Sequence, residues 1–287
     1  MHPMNLEGQN LSPSLIASLS AFWAMVRKEL IIMARYPVNF VASFGQVFLI
    51  VAVFTLGGSM FYRGVEGGSS GGNPSGVVVY GFMLYMFMGD TLWAIGYNVR
   101  HEQVQGTLEQ LYLSPASKFA NLVSRVANIL IWTGLLTITA SILMASMIGD
   151  LPVENIGLGL YVMAFSLAGT FGLGFAFAAL TLYIKETAQT VANFLQFGLL
   201  VLCAYFFPFS ALPDFVLPIS KLIPLSYTVD AFRSTMMGFP PGFPELAPIG
   251  FEVVLVTVFG LVMPYLGYVL YRRAENHARR RGSLSAY

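Results

Sequence analysis

The chain has 287 residues, of which 56% are apolar, 14% aromatic and only 10% charged, with a net charge of +1. An average soluble domain carries roughly 25% charged residues. A chain this poor in charge cannot coat a soluble globule, so soluble enzymes, nucleic-acid binders and disordered proteins are excluded, leaving an integral membrane protein.

Residues 1–13 form a short N-terminal tail. In residues 14–36, Leu15, Leu19, Phe22, Val26, Leu30 and Met33 recur at spacings of 4, 3, 4, 4 and 3, which is one face of a helix. Arg27, Lys28 and Glu29 interrupt it, Trp23 suits the headgroup level, and Pro37 breaks the pattern. The segment reads as an amphipathic helix lying on the cytoplasmic membrane surface. About 37 residues precede the first long apolar run and no cleavage site follows it, so the start of the chain is expected to be retained.

A bilayer core of roughly 30 Å needs about 20 apolar helical residues. Six runs meet that length: residues 38–58, 77–98, 126–148, 156–184, 187–213 and 253–271. Only the second holds an acid, Asp90. Continuous apolar runs without alternation favour helices over a β-barrel. The prediction is therefore an all-α membrane protein with six spans. With the N-terminus in the cytoplasm, twelve lysines and arginines fall inside, from Arg27 to Arg281 in the basic tail 272–287. Arg63, Lys221 and Arg233 fall outside. That bias places both termini in the cytoplasm.

Three connecting segments stand out. Gly67–Pro74 is a glycine- and serine-rich connector of flexible composition. Residues 100–125 form the longest cytoplasmic loop, where Val104, Leu108, Leu111 and Tyr112 make an apolar stripe on a short polar helix that Ser114-Pro115 ends. That stripe needs the membrane surface or another protein as its partner. In the region after span five, Pro208, Pro213, Pro218 and Pro224 each forbid a regular helix through them. Residues 215–223 are apolar but too short to cross, which fits a re-entrant pair of short helices dipping from the outer face.

Two motifs resemble the permease subunits of the ABC-2 family of ATP-binding-cassette exporters. One is Glu102-x-x-x-Gly106-Thr107-Leu108-Glu109-x-Leu111-x-x-Ser114-Pro115; the other is Pro224-Leu-Ser-Tyr227-x-x-Asp230-Ala-Phe-Arg233. The resemblance covers roughly residues 21–273. It implies a type V exporter-like channel of two permease subunits, as a homodimer or with a similar chain, and two cytoplasmic ATPase subunits. It also implies that Glu102, Gly106, Thr107, Leu108, Glu109 and Leu111 form the coupling helix that docks on the ATPase. No Gly-x-x-x-x-Gly-Lys-Ser/Thr loop occurs, so ATP and Mg are expected on the partner and no cofactor on this chain. The cargo classes of the family are drugs, lipids, lipid-linked glycans and polysaccharides.

Candidate path residues are Asp90 on span two and Asn193, Gln196, Tyr205, Phe206 and Phe207 on span five. In related exporters, spans two and five line the pore. Asp90 is either a polar lining of the path or a hydrogen-bond partner of a neighbouring helix. The aromatic end of span five is either an apolar constriction or a set of interfacial anchors. Ala168, Gly172 and Ala176 make a small-residue face on span four, suited to close packing within or between subunits. Asp230 and Arg233 share a helical face and suggest a local ion pair on the outer side; Glu245 and Glu252 read as solvated interfacial acids. The lone Cys203 and the separated His2, His101 and His277 give neither a disulfide nor a metal-ligand spacing. An intramembrane enzyme would need a nucleophile with a base or a metal cluster within the spans, and none is present. A stand-alone secondary transporter would show related halves and several mid-membrane ionisable groups, against one Asp90 here.

Overall fold

A computed structural model describes residues 74–104, 130–143, 152–184 and 187–280, with scattered helical positions between 23 and 53. Among the described residues all regular structure is helical. The elements are α1 (Pro74–Val104), α2 (Leu130–Leu143), α3 (Ile156–Ile184), α4 (Ala188–Leu202), a short 3-10 turn (Phe209–Ala211), α5 (Leu217–Leu222), α6 (Pro224–Met236) and α7 (Ile249–Arg280).

Two helices, α3 over Ile156–Thr181 and α7 over Ile249–His277, are long and apolar enough to cross a membrane. The bounds of α3 coincide with those expected for span four. Shorter apolar stretches occupy α1, α2 and α4. Large apolar side chains point outward from α2 (Ile138, Ile142), α4 (Phe194, Phe197) and α7 (Leu261, Tyr265). Such an outer surface suits lipid rather than water.

Three expected boundaries differ. The run expected as span two lies in the 31-residue α1, which continues through Glu102 to Val104; at 1.5 Å per residue it rises about 46 Å, more than a roughly 30 Å bilayer core. Residues 100–104 therefore belong to this helix rather than to the following loop. In the run expected as span five, the helix stops at Leu202 instead of residue 213. Ala204 adopts a left-handed φ of 47°, and Pro208 then leads into the 3-10 turn, so α4 rises only about 22 Å. The last helix extends past residue 271 to Arg280, the last described residue. In the N-terminal segment, Trp23, Arg27, Ile31 and Arg35 are helical and exposed. Pro37 and Val38 are helical too.

The prolines explain the segment after α4. Pro218 and Pro224 occupy the first turns of α5 and α6, where a missing N–H costs nothing. Two consecutive helices, α5 and α6, thus follow α4 and the 3-10 turn. However, α6 is no surface element: its residues from Leu225 to Thr235 are buried apart from Tyr227, wedged among α1, α3 and α7.

The longest shared interface joins α3 and α7. It is built on glycine. Gly169 lies under the Phe259 ring, Gly260 meets the backbone at Phe165, and Gly172 meets the backbone at Met263–Pro264 and at Gly267. The small-residue face of span four is thus consumed, at Gly172, within the subunit.

Candidate functional site

The seam between α1 and α4 carries the first group of interest. Tyr85 of α1 accepts a hydrogen bond from the Gln196 side-chain amide of α4 at 3.2 Å. Gly89, which lacks a Cβ, leaves room for that amide. Beyond the end of α4, Tyr205 and Phe206 turn back onto α1. The Tyr85 ring lies 5.6 Å from Tyr205 and 5.4 Å from Phe206, both edge to face; Phe82 lies 6.3 Å from Phe206. The Tyr205 hydroxyl donates to Met88 Sδ at 3.4 Å. The result is an aromatic closure with two hydroxyls and one amide threaded through it. Edge-to-face pairs are worth about 0.5–1.5 kcal/mol each beyond area burial.

Asp90 lies outside that group. Thr133 of α2 donates to Asp90 Oδ2, so this carboxyl ties α1 to α2. Thr133→Val is expected to destabilise the chain by about 1.5–3 kcal/mol, the worth of a hydrogen bond to a charged group. Thr133→Ser should keep most of that stability, with thermal unfolding in detergent as the measurement. Asn193 is half-buried one turn from Gln196. Phe207 packs toward Ala204, Phe209 and Leu212.

The second group is a polar hub on α6. Arg233 is fully buried and donates through Nη1 to the Phe207 carbonyl at 3.1 Å. Its Nη2 donates to the carbonyls of Ala204, at 2.6 Å, and Tyr205. A cation at the carbonyl end of α4 also complements the helix dipole. Asp230, also fully buried, accepts through Oδ2 from the Glu245 N–H at 2.8 Å and the Leu246 N–H at 2.7 Å. Glu245 in turn accepts from the N–H groups of Phe209 and Ser210, at 3.0 and 2.7 Å. Tyr227 donates to the Lys221 carbonyl at 2.9 Å, and Pro224 opens the helix. Asp230 and Arg233 are therefore buried and bonded to backbone groups of other segments rather than standing as a surface pair. Burial raises the Asp230 carboxyl above its ordinary range, opposed by the Leu246 N–H, the Glu252 side chain and the Arg233 charge. Burial likewise raises Glu245, against the Ser210 N–H. Glu252 is fully buried too, not solvated as its position at the end of an apolar run suggested.

A family model of the ABC-2 type transporter matches residues 20–237. The chain belongs to the ABC-2 type transporter family. No curated protein matches it. The family match ends just after α6, so it includes the seam and Arg233 but not α7. It makes this chain a membrane protein and a permease.

Of the family-derived positions, Glu102 lies on the last turn of α1. Gly106, Thr107, Leu108, Glu109 and Leu111 fall outside the described residues. Gln196, Tyr205 and Phe206 come together as one group, joined by Tyr85, Met88 and Phe82, which sequence reading passed over. Their signal was a tyrosine hydroxyl in mid-run, which needs a partner when buried. No group of three or more metal-ligating side chains occurs among the described residues.

Proposed function

We propose that this chain is the membrane-spanning permease of an ATP-driven exporter, with six spans and both termini in the cytoplasm at the plasma membrane. Two such subunits, identical or similar, enclose the path, and two copies of a separate ATPase carrying ATP and Mg dock from the cytoplasm. The observation that carries the reading is the α1–α4 seam. It places Gln196, Tyr205 and Phe206 against Tyr85 on helices that the family match includes. An aromatic closure with a few hydroxyl and amide groups favours an amphipathic or hydrophobic cargo such as a drug, lipid or lipid-linked glycan. A bare apolar wall would offer such a cargo no orienting polar contact. A polysaccharide export permease of the same family is the second reading, and a stand-alone secondary transporter the third; a single deep acid, already bonded to Thr133, disfavours the latter.

The test is at Leu108, the centre of the apolar stripe in the loop after α1. Leu108→Asp is expected to weaken ATPase association by about a hundredfold to a few thousandfold. An unpaired charge in a buried contact costs about 3–5 kcal/mol, and each 1.4 kcal/mol is a factor of ten. Transport driven by ATP in vesicles should fall with it, while membrane insertion stays normal. Glu102→Ala and Glu109→Ala should act mildly if they lie at the rim of that contact. The readout is recovery of the ATPase that co-purifies with the wild-type chain from native membranes. Wild-type assembly and transport in Leu108→Asp would rule out docking through this loop.

A further inference from the structure

One residue of α7 reaches into the α6 hub. Glu252 stands in the first turn of α7, at the mouth of the apolar stretch and beyond the family match. Its side chain is fully buried. Oε1 accepts from the Ala247 N–H at 3.2 Å, whereas Oε2 is buried and meets no donor. What it does meet is another carboxyl: the Ala247 N–H that Glu252 holds follows directly on the Glu245 and Leu246 N–H groups that Asp230 holds, which sets the two buried carboxyls side by side.

Ionised carboxyls only accept hydrogen bonds, so two carboxylates cannot bond to each other. Held together away from water, they cannot both stay ionised. The surroundings decide which one carries the proton. Asp230 Oδ2 is taken by the N–H groups of Glu245 and Leu246, and Ser234 Oγ approaches Oδ1 at 3.4 Å. The Arg233 charge one turn along α6 also favours negative charge on Asp230. Glu252 has only the Ala247 N–H and an oxygen without a donor. From α6 it also faces Tyr227, one turn before Asp230. From the loop, Glu245 adds negative charge beside Asp230. From α3, Tyr161 forms a hydrogen bond with Thr257 of α7 at 2.9 Å.

We propose that Glu252 is a positioning residue that works as a carboxylic acid. It holds a proton at neutral pH and donates it to Asp230, so that α7 is tied to the hub that anchors the end of α4. Losing that proton at alkaline pH turns the tie into a repulsion between two buried anions and loosens the outer end of α7. The proposal stands without the exporter reading, because it concerns how the helices are joined and not what passes between them.

Infrared spectroscopy of the purified full chain in lipid nanodiscs reads the proton directly. The wild-type-minus-Glu252→Gln difference spectrum should contain a protonated-carboxyl C=O band at neutral pH. The band should vanish once alkaline pH removes the proton. Thermal unfolding gives an independent measure. Between the pKa of a free glutamate, about 4.3, and that of the buried acid, the native state holds a proton that the unfolded chain has released. Wild-type stability should therefore fall with rising pH relative to Glu252→Gln. Glutamine supplies a permanent N–H donor to Asp230, so Glu252→Gln should stay folded and lose this pH dependence. Glu252→Ala should be less stable than wild type at neutral pH. A difference spectrum without the carboxylic-acid band at neutral pH would overturn the proposal. So would a Glu252→Gln variant as unstable as Glu252→Ala.

Discussion

Arg233→Met is expected to destabilise the chain by about 3–5 kcal/mol, the range found when one member of a buried charged set is removed. Total stabilities of native proteins are commonly about 5–15 kcal/mol, so folded yield should drop sharply. Methionine fills much of the volume, which isolates the polar loss. Three carbonyls, of Ala204, Tyr205 and Phe207, lose a guanidinium donor at the turn that ends α4. A buried group left without its bond costs about 1–3 kcal/mol. Asp230 simultaneously loses the positive charge beside it. Arg233→Lys should recover only part of the loss, because an ammonium is a point donor and cannot fork across three carbonyls. Denaturant unfolding in detergent micelles is the measurement. A methionine variant within about 1 kcal/mol of wild type would show that water or other donors satisfy that turn.

Arg233 also shows where sequence reading reaches its limit. The apolar runs predict helices because a backbone in lipid must satisfy itself, and for α3 they give the bounds as well. The prolines at 218 and 224 mark helix starts by chemistry that needs no tertiary context. The spacing of Asp230 and Arg233 correctly puts them on one helix, but spacing cannot say what covers that helix. Their partners come from residues 204–207 and 245–246, segments that tertiary folding alone brings together. The same gap explains Glu252, whose place beside an apolar run looks interfacial until α6 is seen to bury it. The early end of α4 follows from the left-handed turn at Ala204, a conformation that an alanine does not advertise. In the seam, Gln196, Tyr205 and Phe206 were legible as polar or aromatic residues in an apolar run. Tyr85 was not, since a single aromatic on an apolar helix looks like any other until its hydroxyl is paired.

Gly267→Val is expected to destabilise the chain by about 3 kcal/mol, at the upper end of ordinary overpacking. The reason is what lies opposite. A Cβ at Gly267 would run into the backbone of Gly172, and a Cβ at Gly172 into the backbone at Met263 and Pro264. A flexible side chain can swing aside, but a helix backbone cannot, so α3 and α7 must separate along the interface that holds most of their contact. Close approach through small residues is a main source of helix association in membranes, where lipid is as apolar as leucine. Gly267→Ala should act in the same direction and more weakly. Gly157, in the first turn of α3, faces open space where a side chain would stand. Gly157→Ala should therefore be neutral or stabilising by up to about 1 kcal/mol. The contrast separates packing from helix propensity, which favours alanine at both positions. It also separates two roles for the small-residue face. If Gly172 packs within the subunit, Gly172→Val lowers the unfolding midpoint of the chain at every protein concentration. Were Gly172 instead to join two subunits, the variant would dissociate on dilution with its unfolding midpoint unchanged, which calibrated size measurement and thermal unfolding in the same detergent would reveal.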